Sequence, residues 1–147
     1  MANYFLSLNF KKGDTCAIFM ENRPEVFFKL KYQSFVSKSL FQYVATWLGL
    51  AKIGVVPALI NYNLKTTSLL HTVRVANCKA IIFGVELAQE VAEIMSSLQG
   101  ESVFPSFSSG PPEKKSVAVP FSVDLNDVLE TSGKSLNLKS YQQMSNL

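Results

Sequence analysis

Three short runs in the first 83 residues are apolar with little alternation: Thr15-Cys16-Ala17-Ile18-Phe19-Met20, Val55-Val56-Pro57-Ala58-Leu59-Ile60 and Lys79-Ala80-Ile81-Ile82-Phe83. A strand with one wet face alternates polar and apolar residues. A strand that is apolar throughout is covered on both faces, as in a parallel sheet held between helices. The intervening segments carry helical signals. Phe5 and Leu8 lie three apart before the polar turn Lys11-Lys12-Gly13-Asp14. Asn22 is placed to cap a helix, with Pro24 near its first position and Glu25 favourable to the dipole; that helix runs through Trp47 to Ile53, and Gly54 is suited to end it. Thr66 or Thr67 can cap the next helix, whose apolar face holds Leu69, Leu70, Val73 and Ala76. From Glu86 to Leu98, Leu87, Val91, Ile94, Met95 and Leu98 share one stripe, with Gln89, Glu90 and Glu93 opposite. Strand and helix in strict succession predict right-handed crossovers and an α/β fold with an open, mostly parallel sheet.

The texture changes after Gln99. Gly100, Pro105, Gly110, Pro111, Pro112 and Pro120 stand among Ser102, Ser106, Ser108, Ser109 and Ser116, which reads as a loop over 99–121 with no packed core. The segment 122–147 reads as one short helix capped by Ser122 and a mobile polar tail. Residues 1–98 then form a partial α/β region. Its three strands leave outer edges unpaired, so the domain looks incomplete, and an open sheet edge offers a place for association with itself or with a longer parent.

Composition narrows the function classes. At 48% hydrophobic and 17% charged, the 147-residue chain is too apolar to be disordered throughout. A net charge of +3, dispersed along the sequence, speaks against a nucleic-acid partner or a polybasic membrane anchor. Cys16 and Cys78 make no disulfide framework and, with the single His71, show no zinc-ligand spacing; both read as reduced core thiols. The start lacks a signal-peptide pattern, and the most apolar window, Trp47 to Ile60, contains Lys52 and Pro57 and falls short of the roughly 20 residues that span a bilayer.

The candidate site residues are few. Gly49 and Gly54 have the spacing of a phosphate loop, but Val55 stands where its lysine belongs, so helix packing and capping explain them better. Glu21, Asn22 and Arg23 follow the first strand, and Asn61 and Asn63 follow the second; ligands of open α/β sheets bind at that carboxyl edge. Asn22, Arg23, Asn61 and Asn63 are therefore ligand-contact candidates by position, although capping and turn formation account for the asparagines as well. His71 has no nucleophile or acid at triad spacing. No catalytic residue and no metal ligand is assigned.

Longer strings carry a resemblance. Lys11 to Glu25, Trp47-Leu48-Gly49-Leu50-Ala51-Lys52-Ile53-Gly54, Ala58-Leu59-Ile60-Asn61-Tyr62-Asn63-Leu64 and Leu69-Leu70-His71 resemble the fatty acid transport proteins, or very-long-chain acyl-CoA synthetases, among the adenylate-forming enzymes. The resemblance is good over residues 1 to about 98 and implies an N-terminal piece of such an enzyme. It implies activation of a long-chain fatty acid by ATP to an acyl-adenylate, then thioester formation with coenzyme A, with Mg2+ as cofactor. It also implies coupling to uptake at a plasma or endoplasmic reticulum membrane, the domain facing the cytosol; this piece alone is expected in the cytosol. The family's chemistry depends on a Ser/Thr/Gly-rich loop ending in lysine that cradles the phosphates. No loop of that kind is matched here, so this chain alone is expected to be inactive; a non-catalytic interaction module or truncated isoform is the other reading.

The relatives have only a few residues between the positions matching Glu25 and Trp47. Here twenty-one intervene. Removing the seventeen residues Val26 to Gln42 joins Glu25 to Tyr43 and restores the family-like string. Seventeen codons preserve the reading frame, valine codons begin GT, and Phe41-Gln42 can be written TTTCAG, like an intron's end. The segment 26–42 is thus read as an insertion, a retained or mistranslated intron. A genuine helical extension is the alternative, since Phe28, Tyr32, Phe35, Leu40 and Tyr43 roughly keep helical spacing.

Overall fold

The computed structural model describes residues 2–21, 36–98, 104–110, 119 and 122–128, with the backbone alone for 36–41. Five strands, β1 (Thr15–Phe19), β2 (Val56–Leu59), β3 (Cys78–Gly84), β4 (Ser106–Ser109) and β5 (Ser122–Asp124), form one sheet in the order β2-β1-β3-β4-β5. Every pairing is parallel. The helices are α1 (Ala2–Ser7), α2 (Val36–Lys52), α3 (Thr66–Val75) and α4 (Ala88–Leu98), the last entered through a 3-10 turn, Val85–Leu87. The open parallel α/β sheet expected from the apolar runs is therefore present.

The weak alternation in those runs has its cause in two cores, one on each face of the sheet. Cys16 and Ile18 of β1, with Ala80 and Ile82 of β3, pack against Phe5, Phe10, Tyr43 and Leu50 from the α1/α2 side. Ala17, Phe19, Ile81 and Phe83 point the other way, into Leu69, Val73, Val91, Ile94 and Met95 of α3 and α4. Successive residues of a strand face opposite sides, so a sheet covered twice needs apolar side chains at every position.

Helix ends follow local rules. Gly54, at φ +75°, closes α2: its N–H reaches Ala51 O at 3.0 Å and the Val55 N–H reaches Leu50 O at 3.1 Å, with Leu50 and Val55 both buried. That is a Schellman ending with its apolar contact. The same pair of bonds closes α1 around Asn9, at φ 62°: Asn9 N–H to Leu6 O at 3.1 Å, and Phe10 N–H to Phe5 O at 3.2 Å. Phe5 and Phe10 supply the contact, edge to face with centroids 5.4 Å apart. At α3 the expected threonine cap is absent. Lys65 occupies the cap position with no side-chain cap bond, its ammonium pairing with Glu90, and Thr66, inside the helix, donates its hydroxyl to Glu93 Oε2 at 2.9 Å instead.

The largest departure from the sequence reading lies after residue 99. Ser106–Ser109, in the segment read as loop, is a strand paired to β3 with Ile81 opposite Ser106 and Phe83 opposite Ser108. Phe107 is 2% exposed and stacks edge to face on Phe5 and Tyr4, at 5.3 and 6.1 Å. Ser122–Asp124, expected as the start of a helix, is a strand beside β4; one helical turn follows, from residue 125, and its Leu125 is fully buried. The outer edge of β3 is thus covered, contrary to expectation. At the other side, β2 is an open edge. Val56 and Ile60 turn their N–H groups inward, to Asp14 O at 2.7 Å and Ile18 O at 3.0 Å. The outward donors of this strand are then positions 57 and 59, and Pro57 has none to give, which blunts the edge against strand addition.

Candidate functional site

In the order β2-β1-β3-β4, the connection from β1 runs to β2 on one side and that from β3 runs to β4 on the other. The crevice outside the carboxyl ends of β1 and β3 is the switch point where open sheets of this type bind ligands. Here it holds carboxylates. The backbone N–H of Glu21, two residues past β1, donates to Glu86 Oε1 at 3.2 Å. The Glu86 side chain folds back over the last residue of β3, Gly84, where any Cβ would collide with the carboxylate. A Cβ there would push aside the far end of the flexible Glu86 side chain. A carboxylate in that position repels phosphate and uses an amide N–H that could otherwise face an anion.

Along the same edge, Asn61 and Asn63 lie just past β2, both exposed. Asn61 Oδ1 accepts from the Asn63 N–H at 3.0 Å, an Asx turn that shapes the loop. Asn22 and Arg23 lie outside the described residues, directly after Glu21. Past β4 and β5, Asn126 gathers a polar cluster that sequence reasoning missed. Its Oδ1 accepts from Gln42 Nε2 at 2.7 Å, its Nδ2 donates to Gly110 O at 2.5 Å, and its N–H donates to Asp124 Oδ1 at 2.9 Å. The bond to Gln42 joins residues 84 apart, which no local pattern announces.

At the opposite, amino edge, a cavity of about 310 Å³ is lined by Val73, Arg74, Asn77, Cys78, Ser97, Leu98 and Phe104. Arg74 Nη2 donates to Ser97 O at 2.7 Å, joining α3 to α4. Cys78 is half-buried and its thiol is pushed up to about 11 by burial; Cys16 is buried outright and pushed up likewise. Both thiols are free and protonated at neutral pH, hence poor nucleophiles and metal ligands. His71 is exposed on α3.

Among the described residues, no three His, Cys, Asp or Glu side chains converge. Nor is any described helix long and apolar enough to cross a membrane. Beyond the described residues, Thr131-Ser132-Gly133-Lys134-Ser135 brings hydroxyls, a glycine and a lysine together, with one glycine only.

No family model matches the chain. It is 41% identical over 110 residues to long-chain fatty acid transport protein 1 of Rattus norvegicus, a match covering 75% of this chain and 14% of that protein. The chain spans about a seventh of the length of the relatives it matches. Among solved structures, an anthranilate CoA ligase in complex with anthranoyl-AMP superposes with a TM-score of 0.62 at 16% identity, over 86% of this chain and 20% of that one. A putative long-chain-fatty-acid CoA ligase of Rhodopseudomonas palustris superposes with a TM-score of 0.58 at 20% identity, over 86% and 26%. The five-stranded sheet and its flanking helices are thus a fold shared with CoA ligases.

Proposed function

This chain is a homologue of the long-chain fatty acid transport proteins, and from that premise we propose that it is a piece of a ligase that activates long-chain fatty acids with ATP and passes them to coenzyme A at a membrane. Its contribution is the scaffold: a parallel sheet whose carboxyl edge, with Asn22, Arg23, Asn61 and Asn63 as candidate contacts, faces the ligands of the whole enzyme. The chain by itself does not turn over. One observation carries that reading: the switch point is occupied by the Glu86 carboxylate on the Glu21 amide, whereas the groups that face a triphosphate's oxygens must be donors, not acceptors. Mg2+, ATP and coenzyme A belong to the complete enzyme, and no step through them is derived from this chain. The test is fatty-acid-dependent release of AMP: the 147-residue chain is expected to give none, whereas turnover by it would overturn the proposal of inactivity.

We propose further that residues 26–42 are an insertion. The bond from Gln42 to Asn126 would go with them: Glu25, placed directly before Tyr43, has no donor for the Asn126 Oδ1 that accepts from Gln42. Peptides spanning Lys31 to Lys38 in the native protein would refute the intron reading; a spliced transcript lacking those codons supports it.

A further inference from the structure

The amino edge of the sheet, opposite the switch point, has a cavity that the ligase reading leaves unused. Its volume is about 310 Å³, and it lies where α3 and α4 end and β3 begins. The floor is apolar. Val73 is buried, and Cys78, Leu98 and Phe104 are half-buried against the same core. The core of the α3/α4 layer thus runs out to the surface here instead of closing.

The rim is polar, lined by the exposed residues Arg74, Asn77 and Ser97. Arg74 gives one N–H to Ser97 O at 2.7 Å. Among the described residues, the rest of its guanidinium fork meets no acceptor and no carboxylate pairs with it. The acids of the neighbouring elements are engaged elsewhere: Glu90 with Lys65, Glu93 with the Thr66 hydroxyl, Asp14 with Lys79. Carbonyls at the end of α3 are taken as well, Thr72 O by the Ala76 N–H and Arg74 O by the Asn77 N–H. Asn77, held at φ 49° by that cap, makes no side-chain bond among the described residues. A cation with unused donors therefore stands beside an apolar hollow.

We propose that this cavity binds a compact aromatic monocarboxylate, its ring on the floor of Val73, Leu98 and Phe104 and its carboxylate on the Arg74 fork, with the Asn77 amide as a second donor. The planar fork matches a carboxylate in two parallel bonds. The floor selects an organic anion over inorganic phosphate, which has no apolar surface to bury there. The volume is at the lower end of the roughly 300–1,000 Å³ usual for ligand sites, which suits a single ring and not a long acyl chain. An edge-to-face contact with Phe104 adds to the burial. The site lies at the edge opposite that of the proposed ligase ligands, so either reading can fail alone.

Cys78 lines the cavity while Cys16 is fully buried, so a thiol reagent reports occupancy at one position. The 147-residue chain is alkylated with N-ethylmaleimide in the presence of benzoate, benzyl alcohol or inorganic phosphate at matched ionic strength. Benzoate is expected to slow modification of Cys78 saturably, and the two controls are expected to leave it unchanged. Arg74→Gln keeps a donor for Ser97 O but not the charge, and is expected to lose the protection with the far-ultraviolet dichroism unchanged. Asn77→Gly suits the positive φ and so keeps the fold; it is expected to raise the benzoate concentration that gives half-protection. Three results overturn the proposal: a Cys78 rate in the folded chain that benzoate does not change, equal protection by benzyl alcohol or phosphate, or undiminished protection in Asn77→Gly or in folded Arg74→Gln.

Discussion

Gly54 turns the chain out of α2 at φ +75°, a conformation that costs an L-residue about 1–2 kcal/mol. A Cβ there would also stand 2.8 Å from the Lys12 side chain, which is free to shift. Gly54→Ala is therefore expected to destabilise by about 1–2 kcal/mol in urea unfolding, from the backbone term alone. The role of Gly54 was legible because glycine after a helical run is a local signal; that of Asn9, which ends α1 in the same way, was hidden because the cap rests on where Phe5 and Phe10 meet. Asp14 makes a pH-dependent prediction. The hydrogen bond from Lys79, then that from the Lys11 N–H, holds its carboxyl below the ordinary carboxylate range. A folded-state value below the unfolded one means that the unfolded chain binds more protons between the two, so stability rises with pH across that window. The contribution of Asp14 is complete above the usual carboxylate range and is lost as the pH falls through its lowered folded value. Asp14→Asn should lower Tm at neutral pH and converge with the wild type in acid; a difference that stays constant with pH contradicts the assignment.

At the scale of elements, β1, β2, β3 and the helices between them were readable because each carries its own period. β4 and β5 were not. Ser106-Phe107-Ser108-Ser109 has one apolar residue and sits between Pro105 and Gly110, the punctuation of a loop. What makes it a strand is the edge of β3, a partner more than twenty residues away, and small hydroxyl side chains are admitted because the neighbouring faces leave little room. Phe107 carries the anchoring. Phe107→Ala is expected to cost about 3–5 kcal/mol, measured by denaturant unfolding, because it opens a cavity against Phe5 and Tyr4. A cost near zero would return residues 104–110 to the status of a loop. The Asx turn at Asn61 belongs to the same scale: position at a strand end made Asn61 and Asn63 candidates, and the structure assigns Asn61 a bond that shapes the loop itself.

For the whole molecule, the parallel sheet and the two cores follow from the alternation of strand and helix, and the kinship with fatty acid transport proteins follows from the long strings in the first hundred residues. The state of the switch point followed from neither. Glu86 read as the polar start of an amphipathic helix, and only the parallel pairing of β1 with β3 carries its carboxylate to the Glu21 amide. The account's central claim is that this chain has the scaffold of an acyl-activating enzyme without a grip on nucleotide. Calorimetric titration of the 147-residue chain with ATP and Mg2+ tests it most directly. The account predicts no saturable heat of binding; a stoichiometric isotherm, lost on Lys134→Ala or strengthened on Glu86→Gln, would contradict it.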